Sequence, residues 1–266
     1  MDRLTTDAWA DYRRALDTDG FFVLPDVVSA KRLADFNELV EQEFARINRD
    51  SPIFDGGGMY SGHLNCLPGT AARFAYDDIV AAGIVDFIRT VSPAWADRPR
   101  LMMNYNMPGS HAQHYHMDGV YLRDFLICNI AVVDTDLVNG ALDVLPGTNR
   151  QFYRFWQYAA HRKYRTSTRV SLSRGDIVVR RSTLWHRGMP NKSTKARPML
   201  AFTFGDTPDA NPDPFATSTD EMEFYPNWYQ PTAIGRLRER VTVAAPITFS
   251  GYRFVRSLFS DKGYSS

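Results

Sequence analysis

Two histidines and one aspartate in this sequence have a spacing that suits metal binding. His116 and Asp118 lie two residues apart in the run HAQHYHMDG, and residues i and i+2 of an extended strand point to the same face. His186 follows 70 residues after His116, in the run TLWHRGMPNKS. Two imidazoles and one carboxylate make the facial triad of non-heme Fe(II) oxygenases, which leaves coordination positions open for substrate and O2. The three side chains are therefore candidate ligands of a catalytic metal ion.

Arg197 is a candidate for binding an anion beside that metal. It stands eleven residues after His186 and opens the β-rich run RPMLAFTFG. A guanidinium offers a two-pronged hydrogen-bonding fork to a carboxylate. A 2-oxoglutarate cosubstrate needs such a partner for its distal carboxylate while its keto acid end chelates the iron. The offset from His186 therefore favours a function for Arg197 over an ordinary surface charge.

The elements that would bring these distant segments together are short strands. From residue 101 onward the sequence carries the β-rich runs LMMNYN, HAQHYHMDGV, FLICNIAVVD, ALDVLPG, RVSL, GDIVVRR and RPMLAFTFG, separated by the turn signals PGS, NGA, PGT and SRGD. Strands at this spacing indicate a sandwich or barrel. Because a double-sheet jelly roll places strands face to face, the fold class is predicted as mainly β with flanking helices around a cupin-like jelly-roll core, the double-stranded β-helix.

Helices are predicted on both sides of this β-rich region. Apolar residues recur at helical spacing over residues 5–16, 30–47 and 77–91. The run GYRFVRSLF near the C-terminus is amphipathic and would dock on the domain or on a second subunit, so a homodimer is one of two alternatives.

The sequence is interpreted as one domain over residues 1–266, with no internal repeat and no low-complexity linker. Its parts are N-terminal helices over 1–95, a jelly-roll core over 100–205 and a C-terminal extension over 206–266. These boundaries lie where the hydrophobic pattern changes from helical periodicity to short strands and back again.

The composition bounds the class of function. With 266 residues, 44% of them hydrophobic, the chain is long enough to bury a sizeable core. A net charge of +1 argues against a polyanion binder, so no nucleic-acid partner is expected. Cys66 and Cys128 cannot form a disulfide framework, and the N-terminus lacks a signal-peptide shape, which together favour a cytoplasmic location. No run of about 18 apolar residues is present, so no membrane span is predicted.

The charge is unevenly distributed along the chain. Residues 150–197 contain thirteen Lys or Arg and one acidic residue, Asp176. A basic segment can hold an anionic ligand, and Arg162, Lys163 and Arg165 would then contact a carrier-linked or phosphorylated substrate. The alternative is that these charges scatter over several strand faces and pair with acids elsewhere in the chain.

The chain resembles the phytanoyl-CoA dioxygenase family of Fe(II)- and 2-oxoglutarate-dependent oxygenases. The runs DGFFVLPDVVS, PGSHAQHYHMDG, NGALDVLPGTNR and GDIVVRRSTLWHRGMPNKSTKARP follow the family's order over residues 19–203. The resemblance implies that His116, Asp118 and His186 bind Fe(II) and that Arg197 binds 2-oxoglutarate. It also implies that O2 is consumed, that succinate and CO2 are released, and that an aliphatic carbon of a small or carrier-linked metabolite, of the kind found in secondary metabolism, is hydroxylated.

The resemblance extends to further residues around the metal. Family members use a polar side chain from the strand before the metal-binding pair, a place that Asn104 or Asn106 could fill, and Gln113 stands where the family often has a glutamine. Relatives that halogenate have a small residue at the position of Asp118, so the carboxylate favours hydroxylation. Side chains predicted to contact the substrate are His114, Tyr105, Trp185 and Trp156.

Two other functions are consistent with parts of the pattern. The chain could be a non-catalytic or regulatory jelly-roll binding module with a degenerate site. It could also be a cupin-like enzyme that binds another metal through His114 and His116, since these share a strand face with Asp118. Arg197 has no part in that second alternative.

Overall fold

Two antiparallel sheets form the centre of the computed structural model, which describes residues 6–50, 58, 60–206, 211–230 and 232–260. The strands within these ranges are β1 (Phe21–Leu24), β2 (His63–Leu67), β3 (Pro99–Asn106), β4 (Leu126–Ala131), β5 (Leu142–Val144), β6 (Thr168–Val170), β7 (Ile177–Arg181), β8 (His186–Arg187), β9 (Arg197–Phe204) and β10 (Glu223–Pro226). The larger sheet has the order β1-β7-β4-β9-β3-β2-β10 and the smaller one the order β6-β5-β8. Two antiparallel sheets with flanking helices agree with the predicted jelly-roll architecture.

Helices precede and follow the strands, as predicted. They are α1 (Thr6–Thr18), α2 (Ala30–Asp50), α3 (Arg73–Ala81), α4 (Ile84–Val91), α5 (Pro93–Ala96), α6 (Phe155–Ala160), α7 (Ala233–Ala244) and α8 (Pro246–Phe259), with 3₁₀ turns at Gly69–Ala72, Thr148–Arg150 and Lys163–Thr166. Within the described ranges, no helix combines the length and the apolar character needed to cross a bilayer.

Two local predictions are wrong. The single helix expected over residues 77–91 is divided into α3 and α4, because Gly83 adopts a left-handed conformation with a φ of 81°. The strand expected over HAQHYHMDGV is absent, since residues 111–120 are irregular apart from one bridge residue, His116. His116 and Asp118 are therefore positioned by tertiary contacts rather than by a continuous strand.

The larger sheet is buried on both faces, and the two faces carry different residues. In β4, Leu126, Cys128 and Ile130 pack in the main apolar core with the helices. Ile127 and Asn129 alternate with them and line a cavity on the opposite face. Burial on both faces explains why β4 is an almost continuous apolar run in the sequence. Asn129 on the cavity side marks this face of the sheet as the one on which a polar site can form.

The smaller sheet lies on the other side of that cavity. Val144 of β5 pairs with His186 of β8, which fixes the register of this short strand. Val144 also packs in an apolar cluster with Val178 and Met199 of the larger sheet. Apolar packing between the sheets therefore fixes the position of His186 relative to the larger sheet.

The C-terminal extension folds back onto the same chain. Strand β10 joins the edge of the larger sheet beside β2, and α8 contacts α6, where the Trp156 N–H donates to the Ser257 hydroxyl at 2.9 Å. Glu239 of α7 is buried, and its carboxylate accepts hydrogen bonds from the Gly58 and Ser61 N–H groups at 2.9 and 2.8 Å. Of the two docking alternatives, α8 uses the domain of its own chain, while the homodimer stays a prediction.

We expect Glu239→Ala to lower the free energy of unfolding by about 3 kcal/mol, because two buried N–H donors lose a charged acceptor. Urea denaturation measures the difference. Glu38→Ala removes an exposed helical carboxylate and is the matched control, with an expected change within about 0.5 kcal/mol. Equal unfolding midpoints for the two variants would contradict the anchoring role of Glu239.

Candidate metal centre

The backbones of His116 and His186 form one antiparallel bridge. The His116 N–H donates to the His186 carbonyl at 2.9 Å, and the His186 N–H donates to the His116 carbonyl at 2.8 Å. Asp118 is held in turn by its N–H, which donates to the Ser182 carbonyl at 2.8 Å. As a result, one side-chain ligand atom of each of His116, Asp118 and His186 lies within 4.8 Å of the other two. These are the three residues that the sequence singled out.

Both imidazoles are oriented with Nε2 toward the aspartate. The His116 Nδ1 lies 2.8 Å from the His114 carbonyl, and the His186 Nδ1 lies 3.0 Å from the Leu184 carbonyl. Because a carbonyl oxygen accepts and cannot donate, each Nδ1 carries the proton and each Nε2 keeps a lone pair. Desolvation by burial lowers the pKa of both histidines, so they are neutral at pH 7. Each Nε2 is 3.6 Å from an Asp118 carboxylate oxygen, a geometry in which a metal ion could bind all three.

Arg180 compensates the charge of Asp118. Its Nη2 donates to the Asp118 Oδ2 at 2.8 Å, and its Nε donates to the Asn129 Oδ1 at 2.9 Å. Burial alone would raise the pKa of the Asp118 carboxyl, but Arg180 and the two imidazoles outweigh that effect and hold the pKa well below its usual range. Sequence analysis missed Arg180. A signal was present in the run GDIVVRR, because a charged residue inside an apolar strand is unusual, and Arg180 does face the metal cavity.

Arg197 brings a second buried guanidinium to the same cavity. It opens β9 opposite Asn106 of β3, and it forms no ion pair within the described ranges. Its Nε is among the buried polar atoms that have no hydrogen-bond partner there. Burial lowers the pKa of Arg197 to about 10, which leaves it positively charged at neutral pH. A buried cation without a partner is costly, so this position suits an anionic ligand such as the distal carboxylate of 2-oxoglutarate.

The His-Asp-His cluster, Arg180 and Arg197 line one cavity of about 250 Å³ between the sheets, here called the metal cavity. Asn104 and Gln113 line it too, in agreement with their predicted place near the metal. The Asn104 amide donates to the Asn65 Oδ1 at 3.1 Å, and the Gln113 Oε1 accepts from the Gly188 N–H at 2.8 Å. Their part in cofactor binding stays a prediction.

Two residues of β3 lie elsewhere. Tyr105 was predicted to contact the substrate, but this is corrected, because its ring packs against Phe44 and Phe224 in the helix-side core. Neighbouring strand residues face opposite sides, so Asn104 and Tyr105 cannot share the cavity. Asn106 is on the same strand face as Asn104, but it is not among the residues that line the cavity. Its amide donates instead to the Met189 carbonyl at 3.1 Å. Asn106 therefore holds the loop between His186 and Arg197, and its part in cofactor binding stays a prediction.

The other residues predicted to contact substrate lie outside the metal cavity. His114 packs against Phe249 of α8 and lines an adjoining cavity of about 350 Å³, so its imidazole is no member of the metal cluster. Trp185 stacks on Tyr158 at 4.7 Å and lines a further cavity of about 360 Å³. Trp156 is on α6, and the residues that line these three cavities do not include it. The alternative that used His114 as a metal ligand is therefore wrong for this arrangement.

Two residues near the metal cluster were missed. His63 of β2 is buried in the wall of the metal cavity, where its Nε2 donates to the His111 carbonyl at 2.7 Å. Burial lowers the pKa of His63 to about 4, so the ring is neutral. Trp228 follows β10 and meets the His116 ring edge-on, with centroids 4.7 Å apart. No local spacing could reveal Trp228, because it is more than a hundred residues from His116 and reaches it through β10.

An antiparallel jelly roll that joins two histidines and an aspartate to a buried arginine is the arrangement expected of a metal-dependent oxygenase with an anionic cosubstrate. The family profile described as "Phytanoyl-CoA dioxygenase (PhyH)" matches residues 16–199, and the chain belongs to this family. The resemblance found in the sequence is thereby confirmed, and with it the general class of iron- and 2-oxoglutarate-dependent enzymes. The match ends before β10, α7 and α8, so the C-terminal extension lies outside it.

Several solved structures share the fold. The non-heme alpha ketoglutarate dependent carbocyclase SnoK from nogalamycin biosynthesis is 17% identical, with 80% of this chain and 88% of that chain covered and a TM-score of 0.57. The epimerase SnoN in complex with Fe3+, alpha ketoglutarate and nogalamycin RO is 14% identical, with coverage of 81% and 96% and a TM-score of 0.55. HygX from Streptomyces hygroscopicus with nickel and 2-oxoglutarate bound is 16% identical, with coverage of 79% and 90% and a TM-score of 0.57.

We expect Arg180→Met to destabilise the metal-free protein by about 2–3 kcal/mol, because the Asp118 carboxylate loses its cation. A divalent ion held by that carboxylate would supply the missing charge, so the rise in Tm on adding Ni(II) should be larger than in wild type. Thermal unfolding with and without Ni(II) measures both effects. Arg181→Met is the control, because Arg181 pairs with Asp17 and Asp124 at 2.7 Å outside the metal cluster. An Arg180→Met protein with the same Ni(II)-dependent rise as wild type would show that Arg180 does not balance Asp118.

Proposed function

We propose that this protein is an Fe(II)- and 2-oxoglutarate-dependent oxygenase that hydroxylates an aliphatic carbon of a small or carrier-linked metabolite. Fe(II) is bound by His116, Asp118 and His186, and 2-oxoglutarate by Arg197. The observation that carries the proposal is Arg197, a buried guanidinium without an anionic partner in the described ranges, in the cavity that also holds the neutral imidazole pair. A non-catalytic module has no need for either a neutral, oriented ligand pair or an uncompensated buried cation.

The bound iron and its cosubstrate supply the oxidising chemistry, in which O2 and 2-oxoglutarate are converted to succinate, CO2 and an oxidised product. The chain supplies the geometry. The carbonyls of His114 and Leu184 fix the imidazole tautomers, and Arg180 fixes the orientation of the Asp118 carboxylate. Trp228 packs edge-on against the His116 ring and helps to hold its orientation.

Hydroxylation is one of several outcomes found among proteins of this fold. SnoN is described as an epimerase and SnoK as a carbocyclase, both from nogalamycin biosynthesis. The Asp118 carboxylate supports hydroxylation over halogenation, because as a metal ligand it would take the place that a halide would need. Mass spectrometry of the product distinguishes the remaining outcomes, since hydroxylation adds one oxygen atom, ring closure removes two hydrogen atoms and epimerisation leaves the mass unchanged.

We expect the anaerobic protein with Fe(II) and 2-oxoglutarate to show the weak visible charge-transfer band of chelated 2-oxoglutarate. The band should be absent in His186→Ala, which loses a metal ligand. Arg197→Ala should raise the apparent Kd for 2-oxoglutarate about a hundredfold, because two charge-assisted hydrogen bonds to the distal carboxylate are lost. Titration followed by visible absorbance measures both changes.

The matched control for Arg197→Ala is Lys195→Ala, which removes an exposed cation from the same loop and should leave the Kd for 2-oxoglutarate unchanged. Absence of the band in wild type would contradict the proposal that Fe(II) and 2-oxoglutarate bind at this site. An Arg197→Ala protein with the wild-type Kd would remove Arg197 from the cosubstrate site, even if the band persisted.

A further inference from the structure

A second cavity borders the metal cluster and has a different chemical character. It has a volume of about 360 Å³, includes His116 in its wall, and is enclosed by residues 152–155, α7 and α8. We call it the arginine cavity, because four of the residues that line it are Arg154, Arg238, Arg253 and Arg256. Its volume falls in the range of small-molecule binding sites.

We propose that the arginine cavity binds the anionic group, a carboxylate or a phosphate, of a substrate whose remaining part is apolar and flat. This inference rests on the proposed function, because it takes the metal cluster beside the cavity as the place of oxidation. It adds the substrate class, which neither the family nor the metal cluster specifies.

The charge of the cavity is unbalanced. The residues that line it include four arginines and neither Asp nor Glu. In the described part of the chain, Arg238, Arg253 and Arg256 take part in no ion pair, whereas nearby Arg187 pairs with Asp143 at 3.0 Å. Arginines that line one cavity without a carboxylate give it a positive potential that attracts an anion, although Arg238 and Arg256 are also exposed to solvent. Their planar forks match the oxygens of a carboxylate or a phosphate.

Arg253 is the arginine of the cluster whose position is fixed by both a hydrogen bond and a ring contact. Its Nη1 donates to the Tyr115 carbonyl at 2.9 Å, and its guanidinium carbon lies 4.2 Å from the centre of the Phe155 ring. Burial lowers the pKa of Arg253 to about 10, so it is still a cation at neutral pH. Its remaining N–H groups have no hydrogen-bond acceptor among the described residues, and they are available to a ligand.

Aromatic rings form much of the rest of the wall. Phe152, Phe155, Trp185, Phe249 and Tyr252 line the cavity together with the arginines. Such rings bury flat apolar surface, and they strengthen the binding of charged groups by excluding water. A small ion such as free phosphate would not use the apolar surface of these rings, so the wall favours an anion attached to an apolar body.

The cavity is placed to present that body to the metal. His116 lines both the arginine cavity and the metal cavity, so a ligand anchored at the arginines extends toward the metal cluster. Arg197, which is proposed to hold 2-oxoglutarate, is absent from the wall of the arginine cavity. The two anions therefore have separate sites on either side of His116.

The source of the positive charge differs from the sequence-based expectation. Arg162 and Arg165 are exposed, and neither they nor Lys163 line the arginine cavity, so the contact of these three residues with substrate stays a prediction. Within the described ranges, Arg180, Arg181 and Arg187 of the basic segment pair with acids. The cavity instead combines Arg154 with three arginines from α7 and α8, which lie beyond the family match at residue 199.

The test uses the full chain loaded anaerobically with Fe(II) and 2-oxoglutarate. The probes are 1-naphthoate and 1-naphthyl phosphate, with the uncharged 1-naphthalenemethanol for comparison, and binding is measured by calorimetry. We expect at least one of the two anionic probes to bind wild type. The double variant Arg238→Gln/Arg256→Gln should bind that probe about tenfold more weakly. The uncharged probe should bind both proteins equally weakly. The anionic probe that binds more tightly identifies phosphate or carboxylate as the preferred group.

The control is Arg165→Gln/Arg240→Gln, which removes the same charge from exposed positions that do not line the cavity, one of them on the same helix as Arg238. It should bind the anionic probes as wild type does. Equal binding by wild type and Arg238→Gln/Arg256→Gln would overturn the proposal, as would anionic probes that bind no better than the alcohol. The charge-transfer band is recorded in the same samples, so loss of the proposed function appears as a missing band in wild type, independent of how the probes bind.

Discussion

The backbone pairing of His116 with His186 is the constraint on which the site depends. Two hydrogen bonds between these residues join a loop that follows β3 to a short strand of the smaller sheet. Because β8 is only two residues long, its register is set by β5 and by apolar packing between the sheets. The jelly roll is therefore what holds the imidazoles 4.4 Å apart, and neither local segment could do so alone.

Charge balance explains the polar residues around this pair. Asp118 is balanced by Arg180 in the metal-free protein, whereas Arg197 has no balancing anion within the described ranges. An uncompensated buried cation is unfavourable for folding and favourable for binding, because a ligand carboxylate recovers the lost solvation. The metal cavity is thus arranged for a cation on one side and an anion on the other.

The C-terminal extension contributes residues from outside the family match to the surroundings of the metal cluster. The match to the family ends at residue 199, and the jelly roll up to that point supplies the metal cluster and Arg197. The extension contributes Trp228 above His116 and the arginines of α7 and α8, held in place by the buried Glu239. The centre for oxygen chemistry within the family match is therefore combined with a wall that comes from outside it.

The sequence by itself determined the fold class and the family, because the short strands and the motif runs that carry the resemblance are local signals, and it singled out His116, Asp118, His186 and Arg197 as residues of one site. It could not determine which face of a strand a residue occupies when both faces are buried, and for this reason Tyr105 was misplaced. It also missed Arg180, Trp228 and the arginines of α7 and α8, while the contact of Arg162, Lys163 and Arg165 with substrate stays a prediction. The domain boundaries and the homodimer stay predictions. Only the tertiary structure decided which charges meet, since closeness in space between residues a hundred or more positions apart is produced by sheet pairing and helix docking, and no spacing along the chain encodes it.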